Sequence, residues 1–250
     1  QLEKEAFSEA KVVICIDKSR MDYIKALGLD NAVLLPGGTD TDLFKPCEEK
    51  GDYLLFVGNL LPEKGIRESL LAFAEIAREF PDLRFLVIGD GVLRTELEAM
   101  VSDLGISDRV DFLGYVPNER LPEYYARARL YLLPTIPLMD IKDGPAYTAQ
   151  EAMACGTPVI VSDVGGLSEL VQDGENGLVV PPGDTAAIIK AMKRILTDEA
   201  FALALGKKAR ETILSRYDRR KLVREVERIY KELKYTGERH ETQNPSLPSV

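Results

Sequence analysis

Residues 53–91 read YLLFVGNLLPEKGIRESLLAFAEIAREFPDLRFLVIGDG. The stretch opens on an apolar run of strand length, Tyr53–Val57, and passes into a loop bounded by Gly58 and Gly65. From Ile66 to Phe80 the apolar residues fall at 66, 70, 73, 77 and 80, a spacing of four and three that makes one face of a helix. A second aliphatic run, Arg84–Ile88, ends in Gly89-Asp90-Gly91. Strand, helix and strand at this interval predict two parallel strands joined by a crossover helix.

The same alternation continues in both directions. Further strands are expected at Lys11–Ile16, Ala32–Leu35, Arg109–Leu113, Leu130–Leu133, Pro158–Val161 and Leu178–Val180. A second clear helix covers Asp184–Leu196, with Asp184 or Thr185 as its cap and an apolar stripe through Ile188, Met192 and Ile195. The pattern predicts an α/β chain with a doubly wound parallel sheet covered on both faces. Residues 36–50, with two prolines, two glycines and mixed charge, read as a linker. The piece before them holds two strands and one helix, too little to bury a core of its own. Another helix is expected at 218–235, followed by an aperiodic tail at 236–250 that reads as disordered.

Composition removes several classes of function. The 250 residues carry 32 Lys plus Arg against 41 Asp plus Glu, a net charge of -9 that argues against a general nucleic-acid binder. No apolar run is long enough to cross a bilayer. The single histidine, His240, lies in the polar tail, which excludes Ser-His-Asp, Cys-His and His-ligated metal chemistry. Cys15, Cys47 and Cys155 are widely spaced and form no CxxC, the usage of a reducing cytoplasm. Charge is uneven along the chain. From Gly206 to Lys234 there are 11 basic and 5 acidic residues, net +6, which fits either a solvated helical face or a surface for an anionic membrane or acceptor.

In an open parallel sheet ligands bind beyond the carboxyl ends of the strands. After Tyr53–Val57, Gly58 and Gly65 bracket Asn59 and Lys64, and Lys64 precedes a helix whose free N–H groups favour an anion. An ordinary exposed lysine is an equal reading of that residue. Gly89 and Gly91 follow the next strand, as a ligand-cradling loop or a plain turn. Gly114-Tyr115-Val116-Pro117 follows the third, with backbone groups available to a flat base. The fourth loop leads to Asp143-Gly144-Pro145-Ala146-Tyr147-Thr148, where Pro145 suits a first helical turn capped by Gly144 or Asp143. Asp143 and Glu151 are too far apart to act on one bond as a glycosidase pair, and their spacing suits two acids serving opposite ends of an extended ligand. A helix cap and a solvated helix residue are the plainer alternatives.

In order, VGNLLPEKG (57–65), VIGDG (87–91), FLGYVP (112–117) and EAMACGTPVIVSDVGGLSELVQDGENGLVVPPGD (151–184), with VLLPGGTDTDLFKP (33–46) before them, resemble the donor-binding half of a GT-B glycosyltransferase of the retaining family 4, or group 1. The resemblance implies transfer of a hexosyl group from a UDP-, GDP- or ADP-sugar to an acceptor, without a metal. It assigns Lys64 to the donor diphosphate, Glu151 to the ribose, Asp143 to the transferred sugar, Tyr147 and Thr148 backbone to phosphate, and Gly114–Val116 to the base. Lys64 and Asp143 are then the catalytic candidates; Gly58, Asn59, Gly89, Gly91, Tyr115, Val116, Gly144, Tyr147, Thr148 and Glu151 complete the donor site. It further implies that residues 1–46 end an N-terminal acceptor domain and its linker, that 47–217 are a Rossmann-like domain, and that the 218–235 helix crosses back to a first domain otherwise missing here.

The chain departs from the family pattern in three places. Asn59 stands where Arg is usual, and a neutral amide makes a hydrogen bond about half as strong as a charged one. Asp143 shortens the usual Glu, and Gly144-Pro145-Ala146 replaces Gly-Phe-Gly, removing one N–H. These changes keep open a non-catalytic sugar-nucleotide-binding subunit, and the fold also admits a sugar-nucleotide epimerase. Asp40-Thr41-Asp42 spells the DxD metal signature of the other large glycosyltransferase fold, but in the linker it reads as a turn.

Overall fold

The computed structural model describes residues 2–137 and 146–241. Residues 38–217 form one compact unit, and those up to 37 with those from 218 onward form another.

In the smaller unit, α1 (Leu2–Glu9) precedes β1 (Val13–Cys15), α2 (Lys18–Ala26) and β2 (Ala32–Leu34). β1 and β2 pair in parallel with α2 against them. β1 is shorter than the run Lys11–Ile16 because only three of its residues find partners on β2. Asp17 caps α2 by accepting from the Arg20 N–H at 2.8 Å. Asn31 ties the end of α1 to the start of β2, donating to Phe7 O and Ala10 O at 2.8 and 2.7 Å.

The larger unit runs β3 (Tyr53–Val57), α3 (Ile66–Glu79), β4 (Arg84–Ile88), α4 (Arg94–Asp103), β5 (Val110–Gly114), α5 (Leu121–Arg127), β6 (Leu130–Leu133), α6 (Tyr147–Ala154), β7 (Val159–Ser162), α7 (Gly166–Leu170), β8 (Leu178–Val180), α8 (Thr185–Thr197) and α9 (Glu199–Thr212). All six strands are parallel, in the order β5-β4-β3-β6-β7-β8. Leu54–Val57 and every residue of β6 and β7 are buried, the continuous apolar run of strands covered on both faces. α3 presents the face expected of it, burying Ile66, Leu70, Phe73 and Ala77, and packs beside α8. Each fully buried side chain of this size contributes about 1.5–3 kcal/mol. Of the two caps considered for α8, Asp184 serves, accepting from the Ala187 N–H at 2.9 Å. A final helix, α10 (Arg219–Glu241), follows a π turn at Ile213–Tyr217.

Two boundaries differ from expectation. Residues 38–46, read as linker, belong to the larger unit. Phe44 is buried edge-on to Tyr125 at 5.9 Å, and the Thr39 N–H donates to Tyr217 O at 2.9 Å. Local turn residues hid this, because the contacts that hold the segment lie about eighty residues or more away along the chain. Likewise α10 continues through Glu241, so residues 236–241 are helical where a disordered tail was expected. Asp40-Thr41-Asp42 forms a turn, in which Asp40 Oδ1 accepts the N–H groups of Asp42 and Leu43 at 3.1 and 3.2 Å.

Candidate functional site

The chain order of the sheet fixes where a site can form. From β3 the chain winds outward through β4 to β5, then returns to lay β6 on the other side of β3. The strand order therefore switches direction between β3 and β6, and the carboxyl ends of these two strands are where a parallel sheet of this kind takes a ligand.

Hydrogen bonds join the loops of this rim side by side. The Gly89 N–H donates to Gly114 O at 2.8 Å and the Gly58 N–H to Ile88 O at 3.0 Å, linking the loops after β5, β4 and β3. The Ile136 N–H donates to Glu63 O at 2.8 Å, joining the loop after β6 to that after β3. Buried Ser162, at the end of β7, donates to the Thr135 carbonyl. Leu60, fully buried, anchors the β3 loop through the Asp90 and Leu93 backbone.

Two glycines make this packing possible. Gly65 has φ 67° and a side chain there would meet Pro134 O at 1.9 Å; at Gly89, with φ 125°, it would meet Gly58 O at 1.9 Å. The room they leave is occupied by neighbouring backbone, so they serve loop-to-loop contact rather than the approach of a ligand. Gly58 is different, since a side chain there meets only the Phe56 ring at 3.6 Å.

The side chains on this platform are mixed in exposure. Asn59, Tyr115 and Tyr147 are exposed; Lys64, Gly91, Val116, Thr148 and Glu151 are partly buried. Lys64 does not begin α3. It ends a separate short turn, Pro62–Lys64, and the left-handed Gly65 stands between it and the helix. α6 starts at Tyr147 with Ala146 in the cap position and no side-chain cap. Asp143, Gly144 and Pro145 lie outside the described residues.

α6 is tied to the end of β3 through Tyr131. Its phenol lies 2.8 Å from Thr148 Oγ1 and 3.2 Å from Val57 O. A phenol has one proton, so Tyr131 donates to Val57 O and accepts from the Thr148 hydroxyl. One turn further along α6 is Glu151, whose carboxyl burial pushes up to about 7. The Tyr125 phenol beside the carboxyl opposes that shift, yet it makes no well-formed hydrogen bond and stays buried without a partner. Burial raises Tyr125 itself well above its usual range. Glu151 is thus an inward acid beside an unsatisfied donor, not a solvated helix residue.

The structure brings Gly58, Asn59, Lys64, Gly89, Gly91, Tyr115, Val116, Tyr147, Thr148 and Glu151 to one rim. Tyr125 and Tyr131, which support α6 from below, were not singled out in the sequence. For Tyr131 a signal existed, a hydroxyl inside the apolar run LYLL; Tyr125 offered none. A cavity of about 280 Å³ lined by Lys50, Arg129, Pro158 and Ile195 sits at the opposite edge, ahead of β6 and β7, and takes no part in this rim.

Residues 38–212 match a protein-family model described as glycosyl transferases group 1. The chain is 35% identical over 170 residues to 2-deoxystreptamine glucosyltransferase of Streptomyces kanamyceticus, covering 68% of this chain and 43% of that protein. It is 32% identical over 227 residues to a GDP-mannose-dependent alpha-(1-6)-phosphatidylinositol monomannoside mannosyltransferase of Mycolicibacterium smegmatis, covering 84% and 59%. Among solved structures, sucrose-phosphate synthase from Thermosynechococcus elongatus superimposes with a TM-score of 0.80 at 31% identity, over 94% of this chain and 61% of that one. The chain therefore spans only part of the length of the proteins it matches.

Proposed function

The chain belongs to the glycosyl transferases group 1 family, and on that footing we propose that it is the donor-binding half of a retaining glycosyltransferase that moves a hexosyl group from a nucleoside-diphosphate sugar to an acceptor. The observation that carries this reading is the continuous rim at the carboxyl ends of β3 and β6, with Lys64 on one side and the uncapped start of α6 on the other. The rim's positive end is a place for a diphosphate. When the bond from the anomeric carbon to the β-phosphate breaks, negative charge gathers on the departing diphosphate. The Lys64 ammonium and the first N–H groups of α6, at Tyr147 and Thr148, then lower the barrier by facing that charge before it forms. The acceptor oxygen bonds to the same carbon as the bond to the diphosphate breaks, and the acceptor's proton leaves on the diphosphate.

Glu151 takes the ribose hydroxyls in this reading, Gly114–Val116 the base, and Asp143 the transferred sugar. No metal enters the scheme, since the cation and N–H groups already supply the positive charge. A nucleotide-sugar donor also agrees with the mycobacterial relative, which by its name depends on GDP-mannose. The acceptor site and the remaining N-terminal domain belong to a longer protein. Asn59 favours a second reading, a subunit that binds the donor without transfer, because half of the family's usual cationic clamp is neutral.

Titration calorimetry with UDP, GDP and ADP tests the proposal. Lys64→Ala is expected to weaken the tightest of them about tenfold or more, as loss of one charge-assisted contact requires. Equal affinities for wild type and variant overturn the assignment of Lys64. Donor hydrolysis or transfer by the full-length parent separates the enzyme from the binding subunit.

A further inference from the structure

Helix α10 is the longest in the chain and the most basic. Between Arg219 and Lys234 it carries seven basic and three acidic residues, in a chain whose net charge is -9. Its inward face is short of material but regular: Leu222, Val226, Ile229 and Leu233 recur at intervals of four, three and four, and Ile229 is only 6% exposed. That stripe accounts for how the helix is held. It does not account for the opposite face.

At about 100° per residue, Lys221, Arg224, Arg228, Lys231 and Lys234 fall within an arc of about 140° that also holds one exposed acid, Glu227. Arg228 is neutralised by Glu225 and Glu232. Lys221, Arg224, Lys231 and Lys234 are all exposed, and none of the four forms an ion pair among the described residues. Stability does not call for this arrangement. The first turn holds no acid, and Lys221 there opposes the helix dipole. Along one edge of the same face stand two apolar side chains seven residues apart, Val223 at 50% and Tyr230 at 66% exposure. A row of unpaired cations bordered by an aliphatic and a phenol is the surface that meets a plane of anionic headgroups, with the cations on the charges and the apolar edge at headgroup depth.

We propose that this face of α10 docks on an anionic lipid bilayer. A nucleic acid is the poorer partner, because the rest of the chain is strongly acidic and repels a polyanion. At 23 residues the helix is about 35 Å long. Each cation near the surface strengthens binding about fivefold.

Co-sedimentation of the full chain with lipid vesicles tests this. The chain should pellet with phosphatidylcholine vesicles containing about 30 mol% phosphatidylglycerol at about 0.1 M salt, not with phosphatidylcholine alone, and should be released at about 0.5 M salt. Changing Lys221, Arg224, Lys231 and Lys234 together to Gln should weaken partitioning by more than about a hundredfold. If that variant fails to fold, as judged by its circular dichroism melt, the double change Arg224→Gln with Lys231→Gln should still weaken it about twentyfold. Tyr230→Ser should weaken it a few-fold, and Lys207→Gln on α9 should leave it unchanged. Equal pelleting with neutral vesicles, no pelleting with anionic ones, full binding by the folded variants, or retention on heparin without vesicle binding overturns the proposal.

Discussion

The two units of this chain solve the same folding problem with different completeness. In the larger, six parallel strands have helices over both faces, and the central strands are sealed from water. In the smaller, two parallel strands leave Ile14 and Leu34 41% and 40% exposed, and few side chains are buried. A parallel strand pair is a weak object by itself, since its bonds are slanted and both faces are apolar. The difference teaches that stability here comes from coverage of a sheet, not from the strand–helix–strand motif, which both units possess.

Hydrogen exchange breaks or sharpens that contrast most directly. Amides of β1 and β2 should open on the order of a thousandfold more often than those of β3, β6 and β7. Similar protection in both units contradicts the contrast. A pair of glycine substitutions probes it at single positions. Gly89→Ala drives a methyl into Gly58 O and should cost about 3–4 kcal/mol in urea unfolding. Gly28→Ala, at φ 76° in the smaller unit but with only Lys4 Nζ at 4.0 Å, should cost about 1 kcal/mol. Comparable losses at the two sites contradict the account of the loop platform.

A pH-dependent effect concerns the acid inside the larger unit. Because burial raises Glu151 from 4.5 to about 7, the folded state holds this proton more tightly than the unfolded chain does. The fold is therefore favoured at low pH and loses that stability as pH rises from about 4.5 through about 7. Glu151→Gln should raise the melting point near pH 8 by the equivalent of about 1–3 kcal/mol, with the gain fading towards pH 5. A gain that is independent of pH, or absent at pH about 8, contradicts the inward placement of the carboxyl.

Much of the architecture was legible from residues alone. The eight strands follow from short aliphatic runs, and α3 and α8 from apolar spacing that only a helix can collect on one side. Gly58, Lys64, Gly114 and Glu151 are singled out by position, because in a parallel sheet the segments just after strands are where ligands go. What escaped notice was long-range. Phe44 looked like part of a linker because Tyr125, its partner, is eighty-one residues distant. Gly89 reads as part of a ligand-cradling loop or a plain turn, and its space is filled by Gly58, as that of Gly65 is by Pro134.

The chain's sequence by itself determined the repeating strand-and-helix order and its charge distribution, since periodicity and ionisation are local properties of the residues. Only the tertiary structure decided which loops share a rim, that Glu151 is inward beside Tyr125, and that Lys221, Arg224, Lys231 and Lys234 of α10 form no ion pair among the described residues. Each of those depends on which surfaces lose their water when distant segments meet, and no stretch of sequence contains that information alone.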